Sequence, residues 1–348
     1  MTYISLVDAP ISTLIEQQVK DSFFCNQAWL DLITKLYGYS PVLLTTTNTA
    51  GQLTGLLPLC YMRSPLTGRR LVSLPFSDYC PLFAEDEVSA NELIDQAIQL
   101  AQKLKVRYLE LRTGLNDVAS KRLDLTEANL YVRWLIALAG DANAIWEGLR
   151  KPVQNRIKRS RRLGVRVHIA QHREEMEHYY QLHLLTRSKK HGMPPQSIRF
   201  FYDLWDAFAP NGTLQLLLAE YEGSIIAATI LLASGTSLRC AYSASDDSYL
   251  HLAPNNLLFW TAIEQGCAQG YKQFDLGRTA RDNKGLMDFK QRWGAIMEPL
   301  PYYYYPQMAG LAATSESSWK YQLLTRYWKK LPLPVAACLG GYLYKHLG

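Results

Sequence analysis

The sequence lacks the cysteine patterns that hold metals or disulfide frameworks. Its six cysteines are scattered along 348 residues, with no Cys-x-x-Cys pair and no histidines at zinc-binding spacing. Free thiols in a reducing compartment are therefore expected, and a structural metal is not. No run approaches the roughly 18 apolar residues of a membrane span, and the N-terminus lacks the basic and apolar parts of a signal peptide. These absences predict a cytoplasmic protein.

Acidic residues are missing from two stretches, so the net charge of +6 is unevenly distributed. Residues 149–167 contain eight Arg or Lys and no acid. Pro152 and Gly164 stand where a helix favours them, near its start and after its end, and predict a basic helix between them. Its arginines bind the phosphates of a nucleic acid, meet a sugar-nucleotide diphosphate or an anionic membrane, or form a solvated face. The candidates for contact with donor phosphate or tRNA are Arg156, Arg159 and Arg162.

The second acid-free stretch, residues 317–348, makes up most of the C-terminal tail, residues 311–348. Within it, residues 319–347 combine aromatics, leucines and positive charge, a composition typical of a segment lying in a membrane interface. The alternative is a helix docked on the first domain. The apolar part of the tail is too short to span a bilayer.

What the chain has in quantity is apolar sequence, 48% of its residues against 20% charged, which predicts a packed globular protein of two domains. Strand and helix periodicities alternate from residue 41 to residue 114 and again from residue 141 onward. Turn signals at Glu222-Gly223 and Ser234-Gly235 predict three antiparallel strands. The expected fold class is α/β (α+β), with two similar units in tandem covering 1–140 and 141–310.

Three stretches resemble the FemAB-like branch of the GNAT acyltransferase superfamily, which includes peptidoglycan bridge-forming aminoacyltransferases and relatives found near exopolysaccharide gene clusters. The stretches are "GLLPLCYMRSPLTGRRLVSLPFSDYCPLFA", "HGMPPQSIRFFYDLW" and "FDLGRTARDNKGLMDFKQRWGAIMEPLPYYYY". The third is the most specific, because it fixes many positions over a short span. The resemblance implies tandem GNAT-like domains, each a mixed, mostly antiparallel sheet flanked by helices, with a substrate groove between them.

It also implies transfer of an acyl or aminoacyl group to an amine in cell-envelope or exopolysaccharide assembly. In the branch the lysine of the F-K motif lies close to the reacting groups, and Lys290 matches it. A fixed cation stabilises the oxyanion of aminolysis, so Lys290, between Phe289 and Trp293, supplies that charge or neutralises a donor phosphate. Asp275, or the substrate itself, accepts the amine proton. The simpler interpretations are a surface lysine beside aromatic rings and an aspartate that pairs with Arg278.

Further substrate-binding candidates are polar or aromatic residues beside predicted strand ends. Asp78 and Tyr79 follow a strand in a proline-bounded loop, where they line the acceptor groove or form a simple turn. Tyr242 points into the groove or into the core, and Asn255 binds substrate or caps a helix. The full set of predicted substrate-binding residues is Arg278, Asp78, Tyr79, Tyr242, Asn255 and Trp293.

Glycine is absent from "DDSYLHLAPNN", the region where acetyl-CoA enzymes of the superfamily cradle a pyrophosphate. This departure disfavours acyl-CoA as the donor and favours aminoacyl-tRNA, which is the donor of the bridge-forming members. The bridge-forming members also carry a helical-arm insertion in the second domain, and its absence from this sequence disfavours aminoacyl-tRNA. No cofactor is expected to stay bound. The expected acceptor is a small-molecule or lipid-linked amine, with tRNA and a membrane surface as further partners. The alternatives are an acyl-CoA-dependent N-acyltransferase acting on a small molecule and a catalytically silent binding module.

Overall fold

The computed structural model describes residues 13–138, 140–307 and 319–346. In chain order the helices are α1 (Thr13–Lys20), α2 (Gln27–Tyr37), α3 (Glu87–Lys103), α4 (Asp117–Lys121), α5 (Ala142–Gly148), α6 (Lys151–Arg162), α7 (Met176–Leu184), α8 (Ile198–Phe208), α9 (Pro254–Ala268), α10 (Lys284–Arg292), α11 (Trp319–Lys330) and α12 (Leu333–Tyr344). The strands are β1 (Ser40–Thr47), β2 (Leu53–Ser64), β3 (Gly68–Val72), β4 (Phe83–Ala84), β5 (Tyr108–Leu111), β6 (Thr126–Ala137), β7 (Arg166–Ile169), β8 (Leu214–Tyr221), β9 (Ser224–Ser234), β10 (Ser237–Ser245), β11 (Gln273–Ala280) and β12 (Ile296–Tyr305). This is the predicted mixed α/β fold.

The chain divides into two compact units. Among the described residues, the first unit contains 13–132, 299–307 and 346, and the second contains 133–298 and 319–345. The division at residue 132 cuts through β6, eight residues before the predicted boundary at 140, because no turn signal in the sequence marks this long strand. The tail is predicted as a separate segment, but its described residues 319–345 fall within the second unit.

The first unit is built on a sheet whose strand order is β1-β2-β3-β5-β12-β6, with β4 beside β2. β1 and β2 form the predicted antiparallel pair, from Ser40↔Tyr61 to Thr47↔Leu53. The parallel pair of β3 and β5 is joined through α3, whose apolar face packs on the sheet. The side chains that fill this core include Leu57, Leu71, Leu93, Ala97 and Leu109. Burial of that face, rather than helix propensity, is what holds α3 in place.

The second unit contains the sheet order β11-β10-β9-β8-β7, with the end of β6 beside β11. The three predicted antiparallel strands are present as β8, β9 and β10. After α7 the helix continues as a π-helical stretch, Leu185–Lys190. There Thr186 Oγ1 accepts a hydrogen bond from the backbone N–H of Ser245 at 3.3 Å. The sequence predicts an uninterrupted helix over 173–190. The widened turns are not encoded by any local signal.

The tail helices pack on this same unit. Lys189 Nζ donates to the carbonyl oxygens of Lys329 at 3.2 Å and Leu331 at 2.6 Å. The backbone of α12 passes so close to Pro195 that a Cβ on Gly340 would lie 2.3 Å from its ring. The alternative of a tail docked on the first domain is therefore wrong for 319–345. No helix in the described part of the chain is long and apolar enough to cross a membrane.

Candidate functional site

In the second unit the parallel neighbours β10 and β11 separate along their length. Their three paired positions run from Ser237↔Gln273 to Arg239↔Asp275, although the strands have nine and eight residues. Between Cys240 and Tyr242 the pairing of β10 with β9 shifts, as in a β-bulge, which bends a strand. Beyond the last pair the two strands therefore diverge. The opening between residues 240–245 and 276–280 is called the cleft below.

Asp275 stands at the closed end of the cleft and is 2% exposed. Its Oδ2 lies 3.2 Å from Arg133 Nε and 3.5 Å from Arg239 Nη1, and its Oδ1 accepts the N–H of Gly277 at 2.8 Å. A buried carboxylate requires such compensation. Three strands, β6, β10 and β11, are thereby fixed to one another at this point. Asp275 is paired with these two arginines rather than with the predicted partner Arg278.

Lys290, on α10, is buried, with 5% of its surface exposed. Its Nζ donates to the carbonyl oxygens of Gly277 at 2.9 Å and Arg278 at 3.2 Å. Both carbonyls belong to β11 just past Asp275, so the ammonium is held at the edge of the cleft. The interpretation of Lys290 as a surface lysine is therefore wrong. Gly277 has φ +75°, a left-handed conformation that favours glycine.

The aromatic residues beside Lys290 pack on one another. Trp293 is 1% exposed, and its ring lies 5.9 Å from that of Phe259 and 6.5 Å from that of Phe289. Phe259 belongs to α9, so this cluster fixes α10 against α9. The burial of Trp293 favours a packing role over contact with substrate. Arg278 is half-buried on β11, where its carbonyl oxygen accepts from Lys290.

Tyr242 and Asn255 lie on the β10 side of the cleft and are both half-buried. The ring of Tyr242 meets those of Phe200 and Phe201 edge-on, at 6.0 and 5.7 Å. Asn255 Nδ2 donates to Ser245 Oγ at 3.2 Å. The capping interpretation of Asn255 is wrong, because the N-cap of α9 is Ala253 and no side chain caps that helix. Both residues therefore remain candidates for substrate contact.

Cys240 and Ser243 are part of this site, although sequence reasoning missed them. Cys240 Sγ lies 3.1 Å from Ser243 Oγ, which lies 3.1 Å from Thr229 Oγ1. Burial raises the pKa of the Cys240 thiol, while the hydrogen bond from Ser243 and the charges of Lys290 and Arg239 act in the opposite direction. A thiol with a raised pKa is a poor nucleophile.

The segment before α9 does not offer a cradle for a pyrophosphate. It forms a 3-10 helix, Asp247–Leu252, and Pro254 has no N–H. Backbone N–H groups here are engaged by protein oxygens: Ser248 with Asp246 Oδ1 at 2.9 Å, Tyr249 with Asp246 O at 3.2 Å, Ala253 with Leu250 O at 3.0 Å, and Asn256 with Ala253 O at 3.1 Å. The carboxylate of Asp247 pairs with Lys190 at 2.7 Å. Engaged donors and nearby carboxylates are both unfavourable to a phosphate.

The predicted residues Asp78 and Tyr79 lie in the first unit, in a strained loop between β3 and β4. Leu74 and Phe76 have φ +24° and +64°, which is costly for side chains with a Cβ. Arg112 Nη1 donates to the carbonyl of Ser77 at 2.7 Å. The carbonyl of Asp78 accepts from Tyr302 Oη at 2.6 Å, and the ring of Tyr79 covers Gly114 so closely that a Cβ there would lie 2.8 Å away. The loop is held in a defined shape, and its acceptor-binding role stays a prediction.

The basic helix α6 is present where its proline and glycine predict it. Val153, Gln154, Ile157 and Ser160 form its buried face. Arg156, Arg159 and Arg162 recur at a spacing of three on the exposed side. Within the part of the chain that the structure describes, none of these three forms an ion pair, whereas Arg161 pairs with Glu264 of α9 at 2.9 Å. The three guanidinium groups are available for an anionic partner.

His183, on α7, is a buried histidine behind the cleft that the sequence does not single out. It is 4% exposed, its Nδ1 lies 3.2 Å from Tyr179 Oη, and its ring meets that of Phe201 at 4.9 Å. Burial, assisted by the charge of Arg187, lowers its pKa to about 3. The imidazole is neutral at physiological pH as a result.

Comparison with known proteins gives both a sequence and a fold relationship. Residues 148–291 match the family described as acetyltransferase (GNAT) domain. The chain is also 27% identical over 114 residues to UDP-N-acetylmuramoylpentapeptide-lysine N(6)-alanyltransferase of Weissella viridescens. That match covers 33% of this chain and 33% of the relative, so the chain spans about a third of the length of this curated relative.

Solved structures resemble a larger share of the chain. FemX has a TM-score of 0.67 at 14% identity, covering 84% of this chain and 94% of its own. L-PGS from Bacillus licheniformis has 0.56 at 16% identity, covering 95% and 99%. A tandem GNAT protein from the clavulanic acid biosynthesis pathway has 0.53 at 12% identity, covering 85% and 96%. At such identities these likenesses show the fold alone.

The chain therefore contains a segment similar to the acetyltransferase (GNAT) domain, within a fold that resembles a tandem GNAT protein. The partial match to the alanyltransferase and the likeness in fold to FemX agree with the resemblance to the FemAB-like branch. The resemblance inferred from the sequence motifs is thus confirmed. An association with exopolysaccharide assembly stays a prediction.

Proposed function

We propose that this protein transfers an aminoacyl group from aminoacyl-tRNA to an amine acceptor in cell-envelope assembly. The observation that carries the proposal is the buried ammonium of Lys290, held by the carbonyls of Gly277 and Arg278 where β10 and β11 separate. A cation fixed in a site that excludes water stabilises a developing oxyanion strongly, because little reorganisation is needed when the charge forms.

In the proposed reaction the amine nitrogen attacks the ester carbonyl of the donor. A carbon–nitrogen bond forms, and the tetrahedral oxyanion is stabilised by Lys290. The bond from carbon to the ribose oxygen then breaks, and the amine proton passes to that oxygen. Substrate-assisted proton transfer is favoured over Asp275 because both oxygens of that carboxylate are engaged by Arg133, Arg239 and Gly277. Asp275 then acts by positioning the strands.

The choice of donor rests on two features of the second unit. The segment before α9 has its backbone N–H groups engaged and carries carboxylates, which disfavours the pyrophosphate of an acyl-CoA. Exposed arginines on α6 suit the phosphates of an RNA. The acceptor to test first is UDP-N-acetylmuramoyl-pentapeptide with its lysine amine, because that compound is named for the relative from Weissella viridescens.

The test is a transfer assay with labelled aminoacyl-tRNA and, separately, labelled acyl-CoAs, using this acceptor and a panel of simple amines. Lys290→Met is compared with Lys284→Met, which removes an exposed lysine from the same helix. We expect the first variant to lose about 10²-fold or more in kcat/KM, as loss of an oxyanion contact does, and the second to stay within about twofold of wild type. Circular dichroism establishes that both variants fold.

Three results would contradict the proposal in different ways. Full activity of Lys290→Met would remove Lys290 from the chemistry. Transfer from an acyl-CoA but not from aminoacyl-tRNA would make the protein an acyl-CoA N-acyltransferase. Binding of tRNA without transfer to any amine would support the catalytically silent module instead.

A further inference from the structure

The tail helix α12 presents an apolar stripe to solvent. Val335 is 42% exposed, Leu339 43% and Tyr342 60%, and Cys338 between them is also exposed. These four residues follow the spacing i, i+3, i+4, i+7, which places them on one face of a helix. The name "tail stripe" refers to them below. Scattered exposed apolar residues are ordinary, but an aligned set on one helix face indicates an interaction surface.

The opposite face of α12 is already occupied. Ala336 is fully buried, Gly340 approaches Pro195, and Gly341 approaches Ser197, where a Cβ would lie 3.2 Å from the serine Cβ. The preceding helix α11 is seated through Trp328, which is 7% exposed. The orientation of α12 is therefore fixed by packing on the second unit. The tail stripe is the face that this packing turns outward.

Positive charge flanks the tail stripe on both sides along the chain. Arg326, Lys329 and Lys330 are exposed at the end of α11. At the other end, Lys345 Nζ lies 4.5 Å from the centre of the Tyr342 ring. No acidic residue occurs between residues 317 and 348. An apolar face with a tyrosine, flanked along the tail by cations and by no acid, is complementary to a surface that is apolar inside and anionic at its rim.

We propose that the tail stripe and its flanking cations dock this protein on the surface of an anionic phospholipid bilayer. The apolar side chains enter the boundary between headgroups and acyl chains, and the cations meet the lipid phosphates. α12 has 12 residues, about 18 Å of helix against a hydrocarbon core of about 30 Å, so it lies in the interface and does not cross it.

A second copy of the chain is the other occupant that an apolar face suggests, and charge disfavours it. A two-fold interface brings the same patch of both copies together. Here it would place the cations of one tail near those of the other, since no acid of the tail is available to pair with them. A bilayer containing anionic lipid has no such conflict. The inference does not depend on the proposed acyl transfer, because its test measures binding alone.

The experiment is flotation of the full-length protein with vesicles of phosphatidylcholine, with and without an equal part of phosphatidylglycerol. Leu339→Ser/Tyr342→Ser is compared with Leu123→Ser, a change of a fully exposed leucine in the first unit. Lys329→Gln/Lys330→Gln is compared with Lys103→Gln/Lys105→Gln, which removes two exposed lysines from the first unit. We expect binding only to the anionic vesicles, weakened about tenfold or more by each tail variant and unchanged by each control.

Equal binding by wild type, tail variants and controls would overturn the proposal, as would failure of the wild type to bind anionic vesicles. Light scattering of the same proteins without vesicles gives the independent check. A dimer that only the Leu339→Ser/Tyr342→Ser variant abolishes would assign the tail stripe to a second copy. Unchanged melting temperatures would exclude loss of folding as the cause of weakened binding.

Discussion

Three buried ionisable side chains of the second unit are stabilised in three different ways. Asp275 is paired with two arginines, Lys290 donates to two backbone carbonyls, and His183 avoids the charge altogether. Each solution offsets the cost of taking a charge out of water. The differences matter for function, because Lys290 brings its ammonium to the edge of the cleft, whereas both oxygens of Asp275 are engaged by the two arginines and the N–H of Gly277.

The lowered pKa of His183 predicts that acid destabilises the protein. Unfolding returns this histidine to a pKa near 6.5, so below that pH the unfolded state binds the extra proton and the free energy of unfolding falls until about pH 3. Between pH 7 and pH 5 the loss from this single group is about 2 kcal/mol. Urea denaturation of wild type and His183→Gln across this range measures it.

The matched control is His178→Gln, which changes an exposed histidine on the same helix. We expect the free energy of unfolding of His178→Gln to depend on pH as that of wild type does. His183→Gln should lose most of this pH dependence, whether or not the substitution changes the stability at pH 7. An identical slope in all three proteins would mean that His183 does not carry the effect.

At the scale of elements, what the sequence predicts well is set by local signals. Pro152 and Gly164 delimit α6, and the Glu222-Gly223 turn delimits the hairpin of β8 and β9. The cleft has no such signal. It depends on a bulge in β10 and on the ion pair between Asp275 and Arg133, residues 142 positions apart in the chain. Periodicity cannot reveal a contact of that kind.

The same contrast explains individual errors at the site. Asn255 follows a proline at a helix start, which predicts a cap, yet Ala253 in the left-handed conformation begins the helix and leaves the amide to Ser245. Lys290 was located by the resemblance of its motif. Its burial and its carbonyl partners follow from the packing of α10 and could not be read from the spacing.

The exposed face of α6 predicts a measurable contribution to RNA binding. Arg156→Gln/Arg159→Gln/Arg162→Gln should weaken tRNA binding and flatten its salt dependence, because each lost phosphate contact lowers the slope of log K against log salt by about 0.7 to 0.9. Fluorescence anisotropy at several salt concentrations gives this slope. The control removes three exposed cations of the first unit, in Arg69→Gln/Lys103→Gln/Arg107→Gln. Equal slopes for both triple variants would exclude a specific role for α6.

At the scale of the whole molecule, the last described residue is bound to the first unit. The carbonyl of His346 accepts from Arg70 Nη2 at 2.7 Å and from Thr67 Oγ1 at 3.2 Å. Arg70 is 3% exposed on β3, so this acceptor meets part of the hydrogen-bonding demand of a buried guanidinium. His346, which follows the tail helices, thus satisfies donors on Thr67 and Arg70 in the first unit.

Deletion of residues 346–348 should destabilise the first unit by about 1–3 kcal/mol, the cost of leaving a buried donor unsatisfied. Faster hydrogen exchange in residues 68–72 and a lower urea midpoint are the expected readouts. Deletion of residues 347 and 348 alone is the control, since it keeps the His346 acceptor. The interpretation fails if the two truncated proteins exchange at the same rate.

The described residues of the first unit are not contiguous, because 299–307 and 346 complete a unit that begins near the N-terminus. β12 supplies its Tyr303↔Leu111 pair with β5 only after residues 133–298 of the second unit have passed in the sequence. A growing chain on the ribosome therefore cannot finish this sheet when its first 132 residues emerge. Domains generally fold in order from the N-terminus. Here the N-terminal unit cannot be completed first: all of the GNAT segment, residues 148–291, is synthesised before the final strand of that unit.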